Sequence, residues 1–214
     1  MSNRRLKIQN LTFLFLLFFA SSAFAESRIE LRPYTTNDSS FVKSVLLNEQ
    51  VNLQANVKTP DSSFINLLLG LARQEPQFNK IFIVTRTEDG AAMGFFMLNA
   101  HRNPGLWEYT LLLKPEYWGE SYGKEVMAQG IPLLFDKLKA TSLVGHISTN
   151  NQRSVGLAVA MGFELVHDQV SRGGLARDPS IAWGRFELTR SRFLELRAAA
   201  RCNFKPLADK KSDD

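Results

Sequence analysis

One cysteine in 214 residues, Cys202, leaves no partner for an intramolecular disulfide and no thiolate cluster for a metal. Histidine is scarce too: His101, His146 and His167 stand at no spacing that zinc ligands use. No unbroken apolar run reaches the ~20 residues needed to cross a bilayer. The longest, over residues 11–20, follows Arg4, Arg5 and Lys7 and precedes Ala23-Phe24-Ala25. Basic, then apolar, then A-x-A is the order of a secretory leader, predicted over residues 1–25. The leader implies export to a periplasm or the medium, whereas a misassigned start would leave the protein cytoplasmic. Without that segment Arg4, Arg5 and Lys7 are lost and no acidic residue is, so the net charge falls from +5 to +2. Such an excess is too small to mark a nucleic-acid binder. No repeat or low-complexity stretch divides the rest. We therefore read one domain over residues 26–190, followed by a helix and polar tail over 191–214, as a monomer or homodimer.

Alternating residues at 28–33, ending in Pro33, predict a first strand. Asn37-Asp38 then offers an N-cap to a helix with Phe41, Val45 and Leu46 on its face. A polar stretch is expected up to Asp61, which caps a second helix carrying Phe64, Ile65, Leu68, Leu69 and Ala72; Pro76 stops it. Residues 80–85 and 94–99 form a hairpin around Glu88-Asp89-Gly90, and 107–113 continues the meander. A long helix over 123–139 follows, with Met127, Ile131, Leu134 and Leu138 on one stripe and a distortion at Pro132. Next come a strand at 142–148 and a helix at 152–161, with Gly162 as its C′ residue and Phe163 making the apolar contact. Strands at 164–170 and 181–188 and a terminal helix at 190–200 complete the order. The class is α+β, a mixed sheet flanked by helices.

The chemistry concentrates where the strand at 107–113 breaks into a small-residue turn that opens a helix. Turn N–H groups and the unpaired N–H groups of a first helical turn point together and carry partial positive charge, which suits a phosphate. Asn151-Gln152-Arg153-Ser154 adds a second helix start with a capping asparagine and an early hydroxyl. No Ser-His-Asp order, metal motif or nucleotide P-loop competes with this pair of signals.

In their order, Trp107-Glu108, Pro115-Glu116-Tyr117-Trp118-Gly119, Ser121-Tyr122-Gly123, Glu125, Asn151-x-x-Ser154 and Gly162-Phe163 resemble the GNAT N-acetyltransferase superfamily, most of all its branch acting on ribosomal-protein N-termini. The resemblance covers residues 28–188 and implies a central sheet of seven strands. Acetyl-CoA is the implied co-substrate, no metal is needed, and an amine is the implied acceptor, either a protein N-terminus or a small molecule. By resemblance the pyrophosphate loop is Trp118, Gly119, Glu120, Ser121, Tyr122 and Gly123, with Lys124 beside it. The main chain of Leu111, Leu112 and Leu113 would pair with the pantetheine arm, and Asn151 would touch that arm while capping its helix. Glu108 would accept the amine's proton, directly or through water. Ser154 would face the departing thiolate, because Ala158 stands where many relatives carry a tyrosine.

Two positions depart from the pattern: Ser121 stands at a glycine position, where a Cβ in the left-handed region costs roughly 1–2 kcal/mol, and Glu120 adds negative charge beside the anion. The same departures fit a non-catalytic, exported ligand-binding or interaction protein on the same scaffold. Trp107 and Tyr109 read as core aromatics, and His146 as a structural or surface residue.

Overall fold

The computed structural model describes residues 27–168 and 173–204. The predicted leader, the end of the strand expected at 164–170, and the polar tail from 205 lie outside the described residues.

Seven strands make one mixed sheet in the order β1-β2-β3-β4-β5-β7-β6. β1 (Ile29–Pro33), β2 (Asn79–Arg86), β3 (Ala92–Ala100) and β4 (Leu106–Leu113) form an antiparallel meander. β5 (Ser142–Ser148) runs parallel to β4, and β7 (Trp183–Thr189) pairs antiparallel with both β5 and β6 (Glu164–His167). Parallel neighbours cannot be joined by a hairpin, so the long helix must cross over between β4 and β5.

Both faces of the central strands are covered, which explains their near-continuous apolar runs. Phe95 and Met97 of β3 join Ile81 and Ile83 under α1 (Ser39–Leu46) and α3 (Ser62–Gln74), whose Val42, Val45, Ile65 and Leu69 are buried there. The alternate residues Phe96 and Leu98 join the larger cluster with Trp107, Met127, Ile131, Leu143 and Phe163. The terminal helix α6 (Arg190–Ala198) adds Phe193 and Leu196 to that same cluster. Among the described residues, no helix is long and apolar enough to cross a membrane.

Three local expectations change. The stretch before Asp61 is not all irregular: α2 (Glu49–Ala55) forms there, capped by Asn48, which accepts from Val51 N–H, and ended by Asn56 at φ 54°. Its polar sequence, EQVNLQA, buries only Val51 and Asn52, so the apolar stripe that announces a helix is missing. The long helix divides into α4 (Tyr122–Pro132) and a π turn, Leu133–Lys137. Pro132 brings no N–H to the ladder, and Arg190 reaches across to donate to the Phe135 carbonyl within the turn. The N-cap expected at Asn37-Asp38 is not made: residues 36–38 form a 3-10 turn, and the Asp38 carboxylate accepts from Arg32 and from Thr35 N–H at 2.8 Å instead of capping α1. Two later helix ends are where the sequence puts them. Asp61 accepts from Phe64 N–H at 2.8 Å. α5 (Gln152–Ala160) ends in a Schellman turn, with Gly162 at φ 84° and Phe163 N–H bonded to Ala158 C=O at 3.0 Å.

Candidate active site

The site starts from a sheet that comes apart. β4 and β5 pair only at Leu106↔Ser142, Trp107↔Leu143 and Glu108↔Val144. On its other edge β4 stays paired with β3 as far as Leu113↔Gly94. His101 N–H donates to Leu106 C=O and Lys114 N–H to Met93 C=O, so the even-numbered residues of β4 bond to β3. The main-chain groups of Tyr109, Leu111 and Leu113 therefore face the gap, while those of Leu112 face β3. Leu113 C=O is already taken by the Trp118 indole N–H at 2.8 Å. The Glu108↔Val144 pairing uses the Tyr109 N–H, so the open groups are the Tyr109 C=O and the N–H and C=O of Leu111, which await an extended partner.

Tyr109 shapes the point where the strands part. Its ring lies over Gly145 of β5, where a Cβ would sit 2.4 Å from the ring's Cε1. Only glycine fits under it. The ring packs against Phe163 at 5.4 Å and Phe96 at 6.4 Å between centroids, which places Tyr109 with the core aromatics. Burial pushes its phenol pKa upward. Trp107 is buried in the same cluster.

Beyond the gap, a 3-10 turn at Pro115–Tyr117 leads into Trp118 and the loop. Gly119 has φ 91° and Ser121 has φ 64°, ψ 9°, so the loop takes two left-handed residues before α4 begins. Ser121 is the N-cap residue but its hydroxyl makes no cap bond. Lys124 N–H is bound to Ser121 C=O at 3.0 Å. Gly119, Glu120, Ser121 and Lys124 are exposed. Gly123 lets α4 approach α5, since a Cβ there would meet Leu157 Cδ2 at 3.0 Å.

Arg28, ahead of β1, braces this loop. Its guanidinium donates to Glu120 C=O at 2.7 Å and pairs with the Glu125 carboxylate, and it lies 4.5 Å from the centre of the Tyr122 ring. Glu125 also accepts the Arg28 main-chain N–H at 3.1 Å. The hydrogen bond to Glu125 holds the Arg28 pKa above its ordinary value. In the sequence Glu125 stands only as part of the motif; its partner lies 97 positions away and leaves no local signal.

At the start of α5, buried Asn151 accepts from Ser154 N–H at 3.2 Å and from the Gln54 side chain at 3.1 Å. Gln54 comes from α2, the helix the sequence did not announce. Among the described residues the half-buried Ser154 hydroxyl makes no hydrogen bond. Ser154 lies one turn before Ala158, which is buried in the larger cluster. A cleft of about 520 Å³ runs beside these groups, lined by Gln50, Leu53, Gln54, Pro115, Trp118 and Arg153. The Arg153 guanidinium sits 5.4 Å from the centre of the Trp118 ring, joining the loop to α5 across the cleft.

Glu108, the last paired residue before the gap, points to the sheet face opposite Tyr109. There it meets His146: Nδ1 lies 2.9 Å from its Oε1. Beyond them, Arg185 and Glu187 of β7 form an ion pair at 2.9 Å. His146 is thus not an isolated surface residue. The register that sets it beside Glu108 is the feature the sequence could not display.

A parted strand edge, a helix N-terminus with open N–H groups, and a carboxylate at the parting point are what an acyl-CoA transferase needs, and comparison with known proteins agrees. A family model described as an acetyltransferase (GNAT) domain matches residues 28–164, and the chain belongs to that family of N-acetyltransferases. No curated protein matches the chain. Among solved structures, spermidine N-acetyltransferase from Vibrio cholerae in complex with CoA and spermine superposes with a TM-score of 0.68 at 17% identity, covering 79% of this chain and 99% of that one. A dodecameric structure of spermidine N-acetyltransferase from Vibrio cholerae in an intermediate state gives 0.63 at 15% identity, over 79% and 98%. Likeness at such identity is a likeness of fold, and the seven-stranded mixed sheet is shared.

Proposed function

We propose that this chain transfers the acetyl group of acetyl-CoA to a primary amine by direct attack, with no covalent enzyme intermediate. The observation that carries the reading is the open edge of β4 from the Tyr109 carbonyl through Leu111, continuing into the loop whose N–H groups start α4. An extended pantetheine arm fits such an edge as an added strand would. The N–H groups from Gly119 to Gly123 suit the pyrophosphate, with Trp118 and Lys124 flanking it and Arg28 holding the loop in shape. Leu112 contributes by packing β4 rather than through its main chain, and Asn151 fixes the start of α5 beside the arm. Ser154 then offers its hydroxyl to the leaving thiolate, and the Glu108 carboxylate serves the removal of the attacking amine's proton, directly or through an intermediary.

The acceptor is a protein N-terminus or a small-molecule amine. The Vibrio cholerae fold relative is a spermidine N-acetyltransferase holding spermine, which puts spermidine on the panel beside a peptide with a free N-terminus. Labelled acetyl-CoA supplied with both acceptors should label at least one. Glu108→Gln and Ser154→Ala should each lower turnover about a hundredfold while acetyl-CoA affinity, read by calorimetry, stays within a factor of about two. Unchanged turnover in both variants would remove these roles, and no acetyl-CoA binding at millimolar concentration would sink the reaction. The leader-like residues 1–25 support export, which fractionation of native cells and sequencing of the isolated N-terminus would test. Sedimentation decides between monomer, homodimer and the larger assembly seen in the fold relative.

A further inference from the structure

The imidazole–carboxylate pair at the parting point of β4 and β5 carries an inference that deepens the acetyl-transfer reading and rests on it. Glu108 and His146 lie 38 positions apart, yet the parallel register Glu108↔Val144 sets them on one face, 2.9 Å from Oε1 to Nδ1. A carboxylate in its ionised form only accepts, which would put the shared hydrogen on Nδ1 and, in a neutral imidazole, leave the lone pair on Nε2. Nε2 has no hydrogen-bond partner among the described residues, and the His146 side chain keeps 16% of its surface open.

We propose that His146 Nε2 is the proton acceptor of the reaction, and that Glu108 is a positioning residue that fixes the tautomer. The acceptor enters as an ammonium ion. His146 Nε2 takes one of its protons, the freed lone pair forms the N–C bond to the thioester carbonyl, and the C–S bond breaks with its electrons on sulfur. The second proton shed by the new amide nitrogen passes to that thiolate, with the Ser154 hydroxyl as the relay, and His146 returns its proton to solvent. The products are the amide, CoA thiol and one proton, so the step balances.

Charged groups around the pair would tune it. β7 sets Arg185 opposite His146 and Glu187 opposite Val144, and β6 brings His167 opposite Arg185 and Glu164 opposite Glu187. Arg185 spends its charge on Glu187 rather than on the imidazole. From the first turn of α5, Arg153 is turned to Trp118.

The test has two independent readouts on the full chain. Long-range 1H–15N correlation of the histidines should show His146 with hydrogen on Nδ1 and a bare Nε2. His146→Asn keeps an N–H donor toward Glu108 but has no base. It should melt near the wild type and lose about a hundredfold in turnover at about pH 7, with the deficit shrinking toward about pH 10, where a primary ammonium sheds its own proton. Spermidine and a free-N-terminus peptide serve as acceptors. Hydrogen on Nε2, or a deficit in His146→Asn that is absent or constant with pH, overturns the role while wild-type transfer upholds the reaction. Transfer to neither acceptor by the wild type overturns both, whatever the tautomer.

Discussion

Ser121 allows stability and cofactor affinity to be separated at one position. Its φ of 64° and ψ of 9° lie in the left-handed region, where a Cβ costs roughly 1–2 kcal/mol. Replacing it by glycine removes that cost but adds about 0.5–1 kcal/mol of unfolded-chain entropy to be lost on folding. The net gain expected for Ser121→Gly is about 0.5–1 kcal/mol, which in a chain of this size raises Tm by about 1–4 °C. Ser121→Ala keeps the Cβ and should leave Tm nearly unchanged. Affinity runs the other way. The strain is present with or without ligand, so relieving it changes stability and cancels from binding. The hydroxyl makes no cap bond and stands exposed beside the N–H groups of the α4 start. A hydrogen bond from it to a phosphate oxygen is worth about 1.5–3 kcal/mol, so both variants should bind acetyl-CoA at least about tenfold more weakly by calorimetry. Ser121→Gly that melts below the wild type would refute the strain argument. Acetyl-CoA affinity unchanged in Ser121→Ala would refute the phosphate contact.

Other consequences follow from packing and charge. Gly145→Ala would drive a methyl to 2.4 Å from Tyr109 Cε1 and should cost about 1–3 kcal/mol in urea unfolding; Tyr109→Leu in the same background should recover part of it, and additive losses would show that the two do not touch. Asp38 takes the Arg32 guanidinium at 2.6 and 2.9 Å, and that contact holds its carboxyl down at about 2. A depressed carboxylate stabilises the fold above its unfolded value of 3.8 and loses that contribution as pH falls through about 2. Asp38→Asn, allowing for solvent at the Arg32 end, should therefore cost about 1–2 kcal/mol at about pH 7 and nearly nothing near pH 2; parallel stability curves across that window would contradict the pairing. Asn151→Ala should cost about 1 kcal/mol as a lost cap and weaken acetyl-CoA binding, whereas Gln54→Ala should weaken binding with little loss of stability.

What the sequence displayed depends on how far apart the interacting residues lie. Asn151 caps Ser154 three positions on, Asp61 caps Phe64, and Gly162 closes α5; each is decided within one turn, so residue type alone predicts it. The loop from Trp118 to Lys124 is local in the same sense, and Ser121 has the positive φ its glycine-like position requires. α2 escaped because it buries one apolar side chain and presents no stripe, yet it supplies Gln54 to Asn151 across 97 positions. His146 escaped for a different reason. Alternation shows which residues of β4 share a face and which of β5 do, but the offset between two parallel strands is set by the crossover that joins them. Here that crossover bends at Pro132 into a π turn whose carbonyl is met by Arg190 from beyond β7. A change in this turn that slid β5 by two residues would keep every side chain on its face and the core apolar. It would still replace His146 beside Glu108 by Val144 or Ser148, so the crossover's packing, rather than any motif, decides whether the carboxylate has an imidazole to hold.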